Sequence, residues 1–117
     1  KVLDKCTHKA KQKNSMCGDE MDVSVKIVKD QILDFGYQCK SCIFCQASAS
    51  VLSNFSINNK ISNIEKAINF FETFFENDAT KIPKEFKKFK ALFQKNNLSR
   101  KECILLPFKT LSKALKS

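Results

Sequence analysis

The sequence predicts an α+β fold, and three observations carry that expectation. Apolar residues recur at positions 21, 23, 25 and 27, the period-two signature of a half-buried strand. A second β-type stretch, Ile32 to Tyr37, follows across a short polar break. Beyond it, the apolar residues fall at helical spacing. A chain of 117 residues has material for one modest core, and 43% hydrophobic with 28% charged residues is globular composition. We expect a polar N-terminal arm over 1–16 and a single domain over 17–117.

Taking the elements in order, residues 1–16 are Lys-rich and show no convincing apolar period, which suggests a mobile arm or the remnant of a helix. Met21–Val28 and Ile32–Tyr37 form a hairpin turned at Lys29-Asp30-Gln31, with Gly36 permitting a bulge or a close backbone approach. Cys39 to Cys45 lie at the exit of the second strand. From Gln46, the run Ala47-Ser48-Ala49-Ser50-Val51-Leu52 suits a helix packed closely on a sheet, because small side chains let backbones approach. Ser62-Asn63-Ile64-Glu65 has capping-box spacing and opens an amphipathic helix with Ala67, Ile68, Phe71, Phe74 and Phe75 on its apolar face. Pro83 suits the first turn of a helix carrying Phe86, Phe89, Leu92 and Phe93 and ending near Asn96-Asn97. A last helix is expected from about Cys103 or Pro107 to Leu115. The chain has 11 phenylalanines, and at this spacing those of the helices are expected in the core rather than around a ligand.

Several function classes fall away. No stretch approaches the roughly 20 apolar residues that span a bilayer, and the first residues lack the apolar run of a secretory signal. A soluble cytoplasmic protein is expected, or an organellar one if a leader has been removed, since the chain does not begin with Met. The net charge of +9 comes from lysines scattered over 1–13, 81–101 and 109–116, with one Arg, no Trp and one Tyr. Nucleic-acid readers cluster Arg and interleave aromatics, so nucleic acid is not an expected partner, and neither is a membrane. Nucleophile elbows, phosphate loops, zinc-protease helices and dinucleotide fingerprints are all missing from the sequence.

The chemistry concentrates in six cysteines. With no sign of secretion, they read as metal-binding or reactive thiols rather than as a disulfide framework. Cys17-Gly18-Asp19 puts a soft thiolate and a hard carboxylate two residues apart, with a glycine that lets both reach one ion. Cys39, Cys42 and Cys45 repeat the Cys-x-x-Cys spacing of zinc, cluster and thiol-redox centres, but the missing ligands have to come from distant segments. Cys42 and Cys45 stand at the approach to a helix N-terminus, where amide dipoles favour a thiolate. Cys103 stands at another helix entry, with Arg100 nearby, and could supply a remaining ligand. His8, the one histidine, falls in the polar arm and is not expected in the site.

Taken together, Met16-Cys17-Gly18-Asp19, the hairpin, Gly36, Cys42-Ile43-Phe44-Cys45-Gln46-Ala47-Ser48-Ala49-Ser50 and Arg100-x-x-Cys103 resemble the IscU/SufU/NifU N-terminal scaffold family over residues 14 to 117. In that family a Cys-Gly-Asp, a Cys just ahead of an Ala-Ser-Ala-Ser-like helix start, and a C-terminal Cys converge on one metal or cluster. The resemblance therefore implies Cys17, Asp19, Cys42 and Cys103 as ligands, with Cys103 the candidate persulfide acceptor and Arg100 in support. Cys39 falls too early and Cys45 too late for the pattern. These two could add a ligand, relay sulfur or pack in the interior, and packing is the expectation for Cys45. The role of Cys6 is not read.

IscU-type members carry His immediately before the last cysteine, whereas SufU-type members carry Arg three residues before it. Glu102, Arg100 and the long segment between Ser50 and Cys103 resemble the SufU type. The resemblance implies a small antiparallel sheet of about three strands with helices on one face and a site at one rim. It implies a scaffold or sulfur-acceptor protein rather than a classical enzyme, with a transient 2Fe-2S cluster or zinc as its metal, and a cysteine desulfurase and apo iron-sulfur proteins as its partners. The implied role is cluster scaffolding. Alternatives are zinc-dependent sulfur transfer that activates a desulfurase and a structural zinc module, against which the mixed Cys/Asp set argues.

Overall fold

The computed structural model describes residues 6–14, 19–40, 43–74, 82–90, 92–93 and 101–116, the side chains of Asn14, Asp19, Glu85 and Lys101 excepted. The elements are β1 (His8–Asn14), β2 (Asp19–Val28), β3 (Gln31–Lys40), α1 (Ile43–Ser56), β4 (Asn59–Lys60), α2 (Ile61–Glu72), a 3-10 helix (Lys84–Phe89) and α3 (Lys101–Leu115). The fold is α+β. The strands form one antiparallel sheet in the order β1-β2-β3-β4, three long strands and a two-residue fourth.

The hairpin forms where the alternating pattern requires it. Met21, Val23 and Val25 of β2 are buried on the helix-covered face, with Ile32 and Phe35 of β3. A register shift between Lys26 and Ile27 leaves Leu33 opposite no β2 residue and lets both strands keep their apolar side inward. The turn is tighter than the three residues expected. Val28 pairs with Gln31, and Lys29 and Asp30 take positive φ of 51° and 63°, as a two-residue type I′ connection demands.

Residues 8–14 correct the reading of a mobile arm or helix remnant, because they form an edge strand paired with β2 from His8↔Val25 to Asn14↔Asp19. Its alternation is one of exposure: Lys9, Lys11 and Lys13 face out, while His8, Ala10 and Gln12 are half-buried. Lysines on an outer strand also discourage edge-to-edge association.

Two helix starts differ from expectation. Helix α2 begins at Ile61, so Ser62 lies inside it and caps nothing; the N-cap is Lys60, with no side-chain cap bond. The helix is started instead by the sheet, since the Ile61 N–H donates to the Asp30 carbonyl at 2.8 Å and β4 pairs with β3. Helix α3 starts at Lys101 and carries Pro107 in its interior. The segment after Pro83 is a 3-10 helix rather than an α-helix.

The core lies between the sheet and the helices. Helices α1 and α3 pack on the sheet and on each other. Phe71, Phe89, Phe93 and Phe108 are fully buried, and Phe74 and Phe86 nearly so, as expected of an aromatic stripe. Phe75 lies outside the described residues.

Candidate metal and sulfur site

The strand register sets the end of β3 beside the start of β2 at one rim of the sheet. Glu20, next to Asp19 at the start of β2, pairs with Lys40 at the end of β3, so the two strand ends lie side by side. Helix α1 starts three residues after Lys40. Its small residues, Ser48 and Ala49, are fully buried, and Ser48 Oγ donates to the Ile104 carbonyl at 2.6 Å. That bond fixes the first turns of α1 against the first turn of α3, where Cys103 precedes Ile104. The segments bearing Asp19, Cys39, Cys45 and Cys103 thus share one edge of the domain. The His8 end of β1 is opposite, about 20 Å away along a seven-residue strand. His8 Nδ1 pairs there with Thr7 Oγ1 at 2.8 Å.

Cys17, Cys42 and Arg100 lie outside the described residues, as does the side chain of Asp19. Among the described residues, no three His, Cys, Asp or Glu side chains gather as a metal site. Of the candidate ligands, the thiol that can be placed is that of Cys103, the third residue of α3 and 5% exposed. One feature of α3 bears on it. Pro107, four residues on, has no N–H to offer the Cys103 carbonyl, so the first turn holds one backbone bond fewer than a regular helix. The Glu102 carboxylate reaches along α3 to Lys109 Nζ at 3.4 Å.

Charge at the rim is mixed. Lys13 Nζ lies 3.0 Å from Glu20 Oε1 across the β1–β2 pair. The hydrogen bond from Lys13 and its charge, with smaller help from Lys11 and Lys40, hold the Glu20 carboxyl below its usual pKa.

Reading the sequence alone missed two relationships. The first is the reach of Ser48 to α3, which the small-residue run announced only as close packing on a sheet. The second is the contact between Cys39 and Cys45, whose Sγ atoms are 2.9 Å apart. A signal for it was available. Cys39 shares the inward face of β3 with Phe35 and Tyr37, while Cys45 precedes the buried Ser48 and Ala49 by about one helical turn.

The NifU-like N terminal domain model matches residues 2–96. The iron-sulfur cluster assembly scaffold protein IscU of Thermotoga maritima is 29% identical over 114 residues, spanning 97% of this chain and 80% of that protein. Among solved structures, the N-terminal NifU-like protein of Brucella abortus superposes with a TM-score of 0.88 at 20% identity, covering 99% of this chain and 81% of that one. FiSufU of Fervidobacterium islandicum AW-1 gives 0.85 at 24% identity, covering 98% and 85%. The two structures share the fold described above. The match over most of the chain, with the IscU relative alongside it, establishes that this chain belongs to the NifU-like N-terminal domain family.

Proposed function

We propose that this chain is an iron-sulfur cluster assembly scaffold. It accepts sulfur from a cysteine desulfurase, holds iron or a nascent 2Fe-2S cluster through Cys17, Asp19, Cys42 and Cys103, and passes the cluster to apo-proteins. The observation that carries this reading is the shared rim: Glu20 paired with Lys40, and α1 tied to α3 by Ser48 and Ile104. Family membership and the IscU relative support it. The donor set fits the cargo, because three thiolates suit a soft metal and one carboxylate oxygen binds it weakly enough to let go.

Sulfur acceptance by Cys103 is a nucleophilic step. Its thiolate attacks the outer sulfur of a donor persulfide, forms a new sulfur-sulfur bond and releases the donor as a thiolate. Because Cys103 is 5% exposed, the first turn of α3 has to open for this attack. Once metal is bound, coordination keeps the thiolates deprotonated and guarded.

Anaerobic reconstitution with iron and sulfide tests the reading. The expected result is visible charge-transfer absorption in the wild-type chain that Cys42→Ser abolishes; a colourless wild-type chain rejects it. A second reading, zinc-dependent sulfur transfer of the SufU-like kind, is favoured by one observation. The residue before Cys103 is a glutamate turned along α3 to Lys109 rather than a histidine. Stoichiometric zinc in protein purified without added metal, with desulfurase stimulation and no cluster, would select this alternative.

A further inference from the structure

Cys39 and Cys45 are the two thiols of the Cys-x-x-Cys-x-x-Cys run that the scaffold reading leaves unused. Their Sγ atoms are 2.9 Å apart, in contact but not joined by a disulfide. Since a disulfide bond is about 2.05 Å long, the sulfurs need approach by only about 0.9 Å to join. Cys39, next to last in β3, is half-buried, whereas Cys45, in the first turn of α1, is fully buried. Closure would fasten the end of β3 to the start of α1.

We propose that Cys39 and Cys45 form a redox-active dithiol whose substrate is an electrophilic sulfur-sulfur bond. The difference in exposure assigns the roles, with Cys39 attacking and Cys45 resolving. The Cys39 thiolate attacks one sulfur of R–S–S–R′, breaking that bond and expelling R′S⁻. The Cys45 thiolate then attacks the Cys39 sulfur of the mixed disulfide and expels RS⁻. The dithiol loses two electrons, the substrate bond gains them, and the two thiol protons end on the departing thiolates. Two sources supply such a bond: a low-molecular-weight disulfide, or a persulfide R–S–S–H, in which attack on the inner sulfur expels HS⁻ and yields one RSH and one H₂S per dithiol. Reduction of a persulfide delivers sulfur at the sulfide oxidation level that a cluster needs, and this use rests on the scaffold reading. The dithiol itself does not.

The test uses the reduced, metal-free full chain held without oxygen. One arm receives glutathione disulfide and the other glutathione persulfide, and free thiols are then alkylated. Trypsin cuts after Lys29, Lys40 and Lys60, so Cys39 falls in the peptide 30–40 and Cys45 in the peptide 41–60. The expected product in both arms is these two peptides joined, a link kept in Cys42→Ser and lost in Cys45→Ser and in Cys39→Ser at the half-buried position. In the persulfide arm it comes with one sulfide per link. A link in the disulfide arm alone removes the persulfide as a source and leaves the disulfide. Full alkylation of Cys39 and Cys45 in both arms, or a link that needs Cys42 instead of Cys45, overturns the dithiol. Working without metal keeps the two readings apart, because a chain that closes this bond yet builds no cluster on reconstitution refutes only the scaffold.

Discussion

Ser48 Oγ donates a 2.6 Å hydrogen bond to the carbonyl oxygen of Ile104, across the interface of α1 and α3. Both residues are fully buried, so the bond is made away from water. Ser48→Ala removes it while keeping the small side chain that the interface accepts. The loss expected is about 1 kcal/mol, read from the urea midpoint. Ser48→Val adds bulk where two helices meet closely and costs more, about 1–3 kcal/mol beyond the lost bond. Equal stability of the two variants would show that close approach is not what position 48 provides.

Phe71 is the ring on which the aromatic core converges. Its centroid lies 4.0 Å from that of Phe93, 4.9 Å from Phe89 and 5.7 Å from Phe108, joining α2 to the segment after Pro83 and to α3. Phe71→Ala leaves a cavity among side chains that cannot all move in, at a cost of about 3–5 kcal/mol. Small domains hold only about 5–15 kcal/mol in total, so the variant should melt many degrees lower or fail to fold. The half-buried Phe70→Ala should cost clearly less in the same thermal scan.

These two sites also indicate what a sequence can reveal. Phe71 was legible because helical spacing places its whole stripe inside, and the β2–β3 hairpin because Met21, Val23 and Val25 alternate with polar residues. Strand β1 was not legible, since Ala10 is its one apolar residue and its alternation is carried by exposed lysines against half-buried polar groups. The start of α2 was misread because the local capping signal at Ser62 lost to a distant partner, the Asp30 carbonyl. Pro107 suggested a helix start, but tertiary burial holds it inside α3. For the site, spacing and resemblance named Cys17, Asp19, Cys42 and Cys103 as an expectation that stays a proposal, whereas the meeting of Cys39 with Cys45 had only an indirect signal, because it depends on how β3 turns into α1.

The Lys13–Glu20 pair gives a pH prediction with a definite sign. The folded-state pKa of Glu20 is depressed, chiefly by the hydrogen bond from Lys13. A depressed carboxylate contributes its stability fully above its ordinary titration range, and that contribution is lost as the pH falls through the lower folded value. Lys13 is exposed and Glu20 partly so, and an ion pair in contact with solvent contributes little and weakens with salt. NMR titration should find Glu20 below the usual range in the wild-type chain and moved back toward it in Lys13→Met. A titration unchanged by that substitution would assign the depression to another neighbour.

Asp19 gives the prediction that bears most directly on release. On the scaffold reading it is the single oxygen donor among sulfur ligands, and a hard carboxylate matches iron bound by thiolates less well than a fourth thiolate would. A carboxylate is useful in a carrier, because it can leave the metal and take the proton of an acceptor's incoming thiol, which then binds as the thiolate. Asp19→Ala removes this exit, so the cluster should be retained longer, with transfer to an apo-acceptor slowed by about tenfold, equivalent to about 1.4 kcal/mol of barrier. The measurement is the transfer rate, followed by visible absorption at equal cluster loading of wild-type and variant. Asp19→Cys should retain the cluster as well, through a stronger bond rather than a missing one. Unchanged transfer in both variants would mean that the carboxylate does not control release, and that the labile position lies at one of the cysteines.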